Sequence, residues 1–221
     1  VMNDLEKFTN TSHKKYLLHP LYTAFGDKIP KQEARLKLNL KQDDRVILFF
    51  GLIRKYKGLD LLIEAFSLLK ANPHNKLLIA GEFYEDKQPY FDLISKYKLE
   101  EQIILLNQFI PNDDVKYYFS AADIVALPYR SATQSGVTQV SFHFEVPTLV
   151  TNVGGLGEII PHNVAGYVVE PNPQAIASSL EDYFENNKEQ AFTEGMKQEK
   201  QKYEWSIFVN EIIALYNGLK K

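Results

Sequence analysis

Short apolar runs alternate with longer amphipathic segments along most of the chain. Six runs rich in valine, isoleucine and leucine occupy residues 45–51, 76–81, 103–107, 123–127, 147–151 and 166–170. Their apolar residues are nearly continuous and do not alternate strictly with polar ones. This pattern is typical of strands that are covered on both faces, as in a parallel sheet.

Between these runs, apolar residues recur at helical spacing. The helical patterns cover residues 31–38, 59–70, 90–97, 112–120, 136–144, 173–186 and 205–219. Strand and helix patterns that alternate in this way predict an α/β fold with a doubly wound, mostly parallel, six-stranded Rossmann-like sheet. The first 40 residues do not follow the repeat. There we expect a short helix over residues 2–8 and then an extended connector.

The composition limits the kind of partner that the chain can have. Its 221 residues, 45% of them hydrophobic, are globular in composition and sufficient for one large domain. With 25 basic and 28 acidic residues the net charge is −3, so we expect no broad cationic surface and no nucleic-acid partner. An anionic ligand would have to bind at a local site.

Residue types that are missing or scattered exclude further classes of function. The chain has no cysteine, and therefore no disulfide framework, zinc knuckle or thiol nucleophile, which is compatible with a reducing compartment such as the cytoplasm. The five histidines show no metal-ligand spacing, so we expect no metal site. No apolar run approaches the ~18 residues of a transmembrane helix. Because the first residue is Val1, we expect a fragment or a processed chain.

The loop that follows the first predicted strand is strongly basic. Arg54, Lys55 and Lys57 lie between Gly51 and Gly58, next to the start of a predicted helix. The unpaired N–H groups of a helix start already carry positive partial charge, so cations there are unfavourable unless an anion neutralises them. The loop therefore predicts a phosphate site, although its spacing is not that of a P-loop. A solvated basic turn is the alternative.

A second loop, residues 131–137, carries small hydroxyl and amide side chains into a helix start. Ser135 or Gln134 can cap this helix, and Gly136 lets a ligand approach the backbone N–H groups. These features predict another anion site, with ordinary capping of a crossover helix as the alternative.

A third loop, residues 152–158, contains three glycines within four positions. Such a density predicts close approach of the backbone to another group, and Glu158 could accept hydrogen bonds from ribose or sugar hydroxyls. The glycine spacing is not that of a nicotinamide-binding fingerprint, and a plain flexible loop is the alternative. The residues by themselves predict a phosphate-bearing ligand without naming a reaction.

The motifs taken together resemble the C-terminal, nucleotide-sugar-binding domain of group 1 retaining glycosyltransferases, which have two Rossmann-like domains in the GT-B architecture. The motifs that carry the resemblance are, in order, residues 50–51, 57–60, 79–81, 109–111, 122–124, 127–128, 147 and 154–158. Each motif alone is weak, but the ordered set is specific and extends from about residue 17 to the end of the chain.

The resemblance implies a domain organisation. Residues 1–16 would be a remnant of the N-terminal domain or a linker, residues 17–204 the nucleotide-sugar-binding domain, and residues 205–221 a C-terminal crossover helix. The acceptor-binding domain would be missing from this chain, and any peripheral contact with a membrane would be made by that domain. Such a fragment is expected to bind the donor without transferring the sugar.

The resemblance also implies site residues, with no metal and no cofactor other than a UDP-type or GDP-type sugar donor. The diphosphate would contact Arg54, Lys57, Ser135, Gly136 and Val137. The nucleoside and ribose would contact Phe83, Tyr84, Phe109, Ile110 and Gln139. The sugar would contact Ser131, Thr133, Gln134 and Glu158. Arg54 would replace an arginine that the family has where this chain has Leu52. Ser131 and Gln139 occupy the positions of two family glutamates.

The implied function is transfer of a sugar from a nucleoside diphosphate to an acceptor, by a hexosyltransferase-like enzyme of polysaccharide or glycoconjugate synthesis. Because the two matching glutamates are missing, a second function stays open. The chain would then be a non-catalytic nucleotide-sugar-binding or assembly module, or part of a GT-B-like epimerase. Turnover of a nucleotide sugar by the longer protein would discriminate between these functions.

Overall fold

The six predicted strands form one parallel sheet in a computed structural model that describes Leu5, residues 7–9 and residues 14–219. The strands are β1 (Arg45–Phe50), β2 (Asn75–Ala80), β3 (Ile103–Leu106), β4 (Ile124–Leu127), β5 (Thr148–Thr151) and β6 (Gly166–Val169). Their order in the sheet is β3-β2-β1-β4-β5-β6, and all neighbours are parallel. This order confirms the predicted doubly wound, Rossmann-like sheet.

Helices cover both faces of the sheet. They are α1 (Lys31–Lys37), α2 (Leu59–Ser67), α3 (Gln88–Tyr97), α4 (Asn112–Ala121), α5 (Gly136–Phe144), α6 (Leu156–Ile159), α7 (Pro173–Glu185), α8 (Glu189–Lys200) and α9 (Trp205–Leu219). Val46 and Leu48 of β1 pack under α1, α4 and α5, whereas Ile47 and Phe49 pack under α2, α3 and α7. Burial on both faces explains why the strands are almost continuously apolar.

The sequence did not predict α6, and it predicted only the end of α8, where the charge-rich stretch of residues 197–202 is typical of a solvated helix face. The four residues of α6 follow the glycine-rich loop and are too few for a periodic pattern. In α8 most residues are polar, and Gly195 weakens the helical signal because glycine has a low helix propensity. The fold requires glycine there, since a Cβ atom would lie 2.0 Å from the carbonyl oxygen of Val164. The helix predicted over residues 2–8 lies largely outside the described residues.

A buried ion pair attaches α1 to the sheet at the amino ends of the strands. The Nη2 atom of Arg35 lies 3.0 and 2.9 Å from the two carboxylate oxygens of Asp123, and both residues are buried. Asp123 Oδ2 also accepts the N–H of Val46 at 2.6 Å, and Lys31 donates to Oδ1 at 2.6 Å. The carboxylate of Asp123, the residue that precedes β4, therefore joins α1 to β1.

The last helix, α9, packs loosely on the rest of the domain. None of residues 205–219, all of which the structure describes, is buried, and Trp205 is 52% exposed although its indole N–H donates to the carbonyl of Leu21. Of the helices in the described part of the chain, none combines the length and the apolar character of a membrane span.

Candidate functional site

The strand order reverses between β1 and β4, and the loops that leave these two strands meet at the carboxyl edge of the sheet. In open α/β sheets, ligands bind in the crevice at this point. Gly58 has φ +68°, and a Cβ atom there would lie 2.0 Å from the carbonyl oxygen of Pro128. Glycine is thus required for α2 to begin directly against the loop after β4.

One cavity of about 340 Å³ lies at this crevice. Gly51 and Lys57 line it from the loop after β1, and Ser135, Gly136 and Val137 line it from the start of α5. Seven further residues complete the wall: Tyr22, Phe25, Phe50, Tyr56, Tyr129, Gln134 and Val140. The structure therefore brings together Lys57 and the helix start, which lie in two separate loops of the sequence and which the resemblance assigned to one diphosphate site.

Lys57 supplies the positive charge of this cavity. The residue is only 9% exposed, and among the described residues no carboxylate lies within ion-pair distance of its ammonium group. Burial, together with repulsion from Arg54, lowers the pKa of Lys57 to about 8. A buried cation without a counter-ion is unfavourable, so the cavity favours an anionic ligand.

The start of α5 provides hydrogen-bond donors at the same cavity. The hydroxyl of Ser135 accepts the N–H of Val137 at 3.3 Å, so of the two candidates, Ser135 and Gln134, it is Ser135 that caps the helix. The other N–H groups of the first turn carry the positive end of the helix dipole. Gly136 allows close packing here, since a Cβ atom would lie 3.1 Å from the ring of Tyr22 and that ring would have to shift.

No acidic side chain or imidazole lies among the described residues that line this cavity. Hard divalent cations prefer carboxylate ligands, and zinc prefers thiolate, imidazole or carboxylate. The chemistry of the lining therefore suits an anion that contacts Lys57 and backbone N–H groups directly.

Arg54 occupies a different place from the one predicted. Its side chain is exposed and its guanidinium carbon lies 5.3 Å from the centroid of the Tyr84 ring, outside the lining of the cavity. This stacking arrangement is a cation–π contact. The charge of Arg54 nevertheless reaches Lys57, because it contributes to the lowered pKa of that residue.

The predicted nucleoside residues are dispersed. Phe83 packs against the rings of Tyr90 and Phe91, with centroid distances of 5.4 and 6.5 Å, and Ile110 is buried in the core. Phe109 is 68% exposed. The described cavity around Lys57 is lined by none of these side chains.

Gln139 does not line the Lys57 cavity. It is 4% exposed, and its Oε1 atom is buried without a hydrogen-bond partner among the described residues. Its side chain lines a small neighbouring pocket, together with Tyr16, His19 and Tyr203. The next residue, Val140, lines the Lys57 cavity instead, because successive helical residues point about 100° apart.

Three of the predicted sugar contacts share an open cavity of about 730 Å³ beside the first one. Ser131, Thr133 and Gln134 line it together with Arg130, whose guanidinium binds both carboxylate oxygens of Asp60 at 2.6 and 2.9 Å. Glu158 is exposed on α6 and is not part of this lining.

The glycine-rich loop packs against the loop that carries these sugar candidates. Gly154 has φ +52°, and a Cβ atom there would lie 1.7 Å from the carbonyl oxygen of Ala132. At Gly155 a Cβ atom would lie 2.5 Å from the carbonyl oxygen of Thr133. The close approach that the glycines predicted is thus an approach of two loops of the chain to each other.

Sequence reasoning missed the aromatic wall of the Lys57 cavity. Tyr129 follows Pro128 at the end of β4, so the rule that ligands bind at strand ends would have found it. Tyr22 and Phe25 lie in the connector before α1, which has no periodic pattern, and no local signal indicates that they reach α5.

Comparison with known proteins connects this geometry to a family. The family model described as "Glycosyl transferases group 1" matches residues 30–202. Similar proteins include an uncharacterized glycosyltransferase of Methanocaldococcus jannaschii, 29% identical over 84% of this chain and 48% of that protein. A putative glycosyltransferase of Bacillus subtilis is 30% identical over 75% of this chain and 42% of that protein. The chain spans about half the length of the curated relatives that it matches.

Solved structures share the fold. Sucrose-phosphate synthase from Thermosynechococcus elongatus has a TM-score of 0.82 at 19% identity, over 99% of this chain and 56% of that one. The C-terminal domain of a group 1 glycosyl transferase from Francisella tularensis has a TM-score of 0.72 at 23% identity, over 83% and 97% of the two chains. Anabaena HepE, solved in complex with UDP, has a TM-score of 0.75 at 18% identity, over 89% and 54%.

Proposed function

The chain belongs to the group 1 glycosyl transferases, and from this premise we propose that it binds the nucleoside-diphosphate sugar donor of a retaining glycosyltransferase. The observation that carries the proposal is the buried ammonium group of Lys57, which shares a cavity with the start of α5. A diphosphate would supply the negative charge that this cavity favours. The UDP complex of the Anabaena neighbour supports a ligand of this class.

In the proposed reaction, the bond between the anomeric carbon of the sugar and the diphosphate oxygen breaks. The oxygen of an acceptor hydroxyl forms the new bond to that carbon, and the proton of this hydroxyl passes to the leaving diphosphate. Negative charge then develops on the leaving diphosphate. Lys57 and the N–H group of Gly136 would stabilise this charge, and the hydroxyl of Ser135, which is held by the N–H of Val137, would add a further donor. The chain needs no metal for this step in our proposal, because these groups neutralise the leaving group.

The proposal extends along the loops on either side of the diphosphate. We place the donor sugar in the open cavity lined by Ser131, Thr133 and Gln134. We place the base of a UDP-type or GDP-type donor near the loops around Phe83 and Phe109, where the exposed ring of Phe109 is available for stacking.

The whole protein is part of the same proposal. We propose a cytoplasmic, hexosyltransferase-like enzyme of polysaccharide or glycoconjugate synthesis, whose remaining half binds the acceptor and makes any peripheral membrane contact. Transfer needs donor and acceptor to be held together, and such positioning can supply ~7–11 kcal/mol of the barrier lowering. The 221-residue chain by itself is therefore expected to bind the donor without transferring the sugar.

Calorimetric titration of the chain with UDP, GDP and ADP, and then with their sugars, tests the proposal. The titration gives the dissociation constant. In an unfolding experiment at 100 times that concentration, a nucleotide that binds should raise the free energy of unfolding by ~2.7 kcal/mol. The variant Lys57→Met is the matched control, and it should lose most of this effect. Failure of the chain to bind any of these nucleotides would contradict the proposal.

Turnover by the longer protein then distinguishes the possible functions. A nucleotide sugar that is bound and transferred with retention of configuration supports the proposed enzyme. Binding without turnover would identify a non-catalytic module, and inversion at a sugar carbon without an acceptor would identify an epimerase.

A further inference from the structure

Tyr129 lies between the two anion-favouring parts of the cavity and contacts both. Its ring centroid is 5.6 Å from the ammonium nitrogen of Lys57, and its hydroxyl oxygen is 3.2 Å from the hydroxyl oxygen of Ser135. The residue is 2% exposed, and the ring of Tyr56 packs edge-on against it at 5.9 Å. The backbone is fixed as well, because the hydroxyl of Thr151 donates to the carbonyl of Tyr129 at 2.5 Å.

The hydrogen bonds of Ser135 define where its own proton can go. A serine hydroxyl can accept two hydrogen bonds and donate one. The N–H of Val137 can only donate, so it occupies one acceptor position of Ser135. The phenol of Tyr129 has no other acceptor within hydrogen-bond distance among the described residues, and burial raises its pKa to about 12, so it keeps its proton.

The satisfied arrangement is therefore the one in which Tyr129 donates to Ser135. In the reverse arrangement the buried phenol proton would be left without an acceptor, which costs about 1–3 kcal/mol. With both of its acceptor positions filled, Ser135 can only donate, and it lines the cavity that Lys57 also lines.

We propose that Tyr129 is a positioning residue that turns the hydroxyl of Ser135 into a fixed hydrogen-bond donor toward the diphosphate of the ligand. This inference rests on the proposed donor-binding function and assigns a new role within it. Tyr129 acts through Ser135, and no contact between Tyr129 and the ligand is required. A donor held in place before binding loses less conformational freedom when the anion arrives.

A double-mutant cycle on UDP affinity tests this role. The variants are Tyr129→Phe, Ser135→Ala and the double substitution, each titrated with UDP by calorimetry. Tyr129→Phe keeps the ring beside Lys57 and should weaken UDP binding about three- to tenfold, the range of one hydrogen bond. In the Ser135→Ala background, the same substitution should change the affinity less than twofold, because the group through which it acts is gone.

Two controls separate this role from a general loss of structure. Ser135→Thr keeps a hydroxyl, so Tyr129→Phe should again weaken UDP binding in that background. Tyr183 is an equally buried tyrosine whose hydroxyl donates to the carbonyl of Asp123 at 2.6 Å, away from the cavity. Tyr183→Phe should lower the unfolding temperature of the ligand-free chain and leave UDP affinity unchanged.

Equal losses on Tyr129→Phe in the presence and absence of the Ser135 hydroxyl would overturn the inference, since they would show that Tyr129 acts independently of Ser135. In that case UDP still binds to the wild-type chain, and the proposed function stands. A wild-type chain that binds none of UDP, GDP and ADP would instead contradict the proposed function and the role of Tyr129 together.

Discussion

The charged group of Lys57 lies in a cavity, and only 9% of the residue is exposed to solvent. The surrounding protein opposes this charge, because burial and Arg54 lower the pKa of Lys57 to about 8 from an ordinary value of 10.5. A bound diphosphate would reverse the effect, since an opposite charge close to an ammonium group raises its pKa. Binding and protonation of Lys57 are therefore linked.

This linkage predicts the pH dependence of UDP binding. Below pH 8 Lys57 is already protonated in the free chain, so its contribution to the affinity should be complete and independent of pH. Above pH 8 the free chain loses this proton, and the affinity should fall by up to about tenfold per pH unit. Calorimetric titrations between pH 6.5 and about 9.5 would measure the slope.

A lysine-to-arginine substitution is the control for that slope. Lys57→Arg keeps a positive charge that does not titrate in this range, so its UDP affinity should be nearly constant between pH 8 and about 9.5. The same decline in Lys57→Arg as in the wild-type chain would show that another group controls the pH dependence.

Gly154 shows how a single residue holds two loops together. With φ +52° and a hypothetical Cβ atom 1.7 Å from the carbonyl oxygen of Ala132, alanine cannot be accommodated without displacing the backbone. Gly154→Ala should lower the free energy of unfolding by more than ~1 kcal/mol. It should also weaken binding of UDP-sugars more than binding of UDP, because the displaced loop carries Thr133. Urea unfolding and calorimetry would measure the two effects.

Gly218 provides the matched comparison. It lies in α9, has no atom within 4 Å of a hypothetical Cβ, and does not have a positive φ. Gly218→Ala should therefore stabilise the chain by a few tenths of a kcal/mol up to ~1 kcal/mol, as expected for alanine in an exposed helix. Destabilisation of similar size by both substitutions would contradict the packing role of Gly154.

At the scale of secondary-structure elements, the strands could be predicted because both faces of the sheet are covered. Apolar runs such as residues 45–51 therefore carry a strong signal, and all six predicted strands are present. The sequence could not predict whether Gln139 or its neighbour Val140 lines the Lys57 cavity. Adjacent residues of α5 point about 100° apart, so the answer depends on the exact orientation of the helix. The contact of Tyr22 with α5 could not be predicted either, because it joins segments that are distant along the chain and no local sequence pattern indicates it.

The attachment of α1 to the sheet depends on a single buried carboxylate. Removing the charge of Asp123 would leave Arg35, which is 3% exposed, as a buried cation without a full counter-charge. Asp123→Asn should therefore lower the free energy of unfolding by ~3–5 kcal/mol. The measurement is urea unfolding followed by circular dichroism.

An exposed ion pair serves as the comparison for this substitution. Arg45 and Glu185 lie 3.0 Å apart with half-exposed side chains, and such pairs contribute ~0–1 kcal/mol. Glu185→Gln should accordingly change the unfolding midpoint little. If Asp123→Asn were equally mild, the network around Asp123 would not be what holds α1 in place.

For the molecule as a whole, the buried ion pair and the proposed binding cavity lie at opposite edges of the sheet. The Arg35–Asp123 pair lies at the amino ends of the strands, whereas Lys57 and the start of α5 meet at the carboxyl ends. The cavity of about 340 Å³ is lined by residues from three segments that are distant along the chain, so it forms only when these segments come together in the fold.

The outermost helix, α9, gives the last prediction about the whole molecule. Its apolar residues Ile207, Ile212 and Ile213 are 45%, 45% and 50% exposed, so they contribute little to the stability of the domain and present an apolar surface to solvent. Ile213→Glu should change the free energy of unfolding by less than ~0.5 kcal/mol. Ile63→Ala, at a fully buried position of α2, should cost ~2–5 kcal/mol. Sedimentation velocity should show concentration-dependent association of the wild-type chain that Ile213→Glu reduces. A large loss of stability in Ile213→Glu would mean that α9 is packed as part of the core.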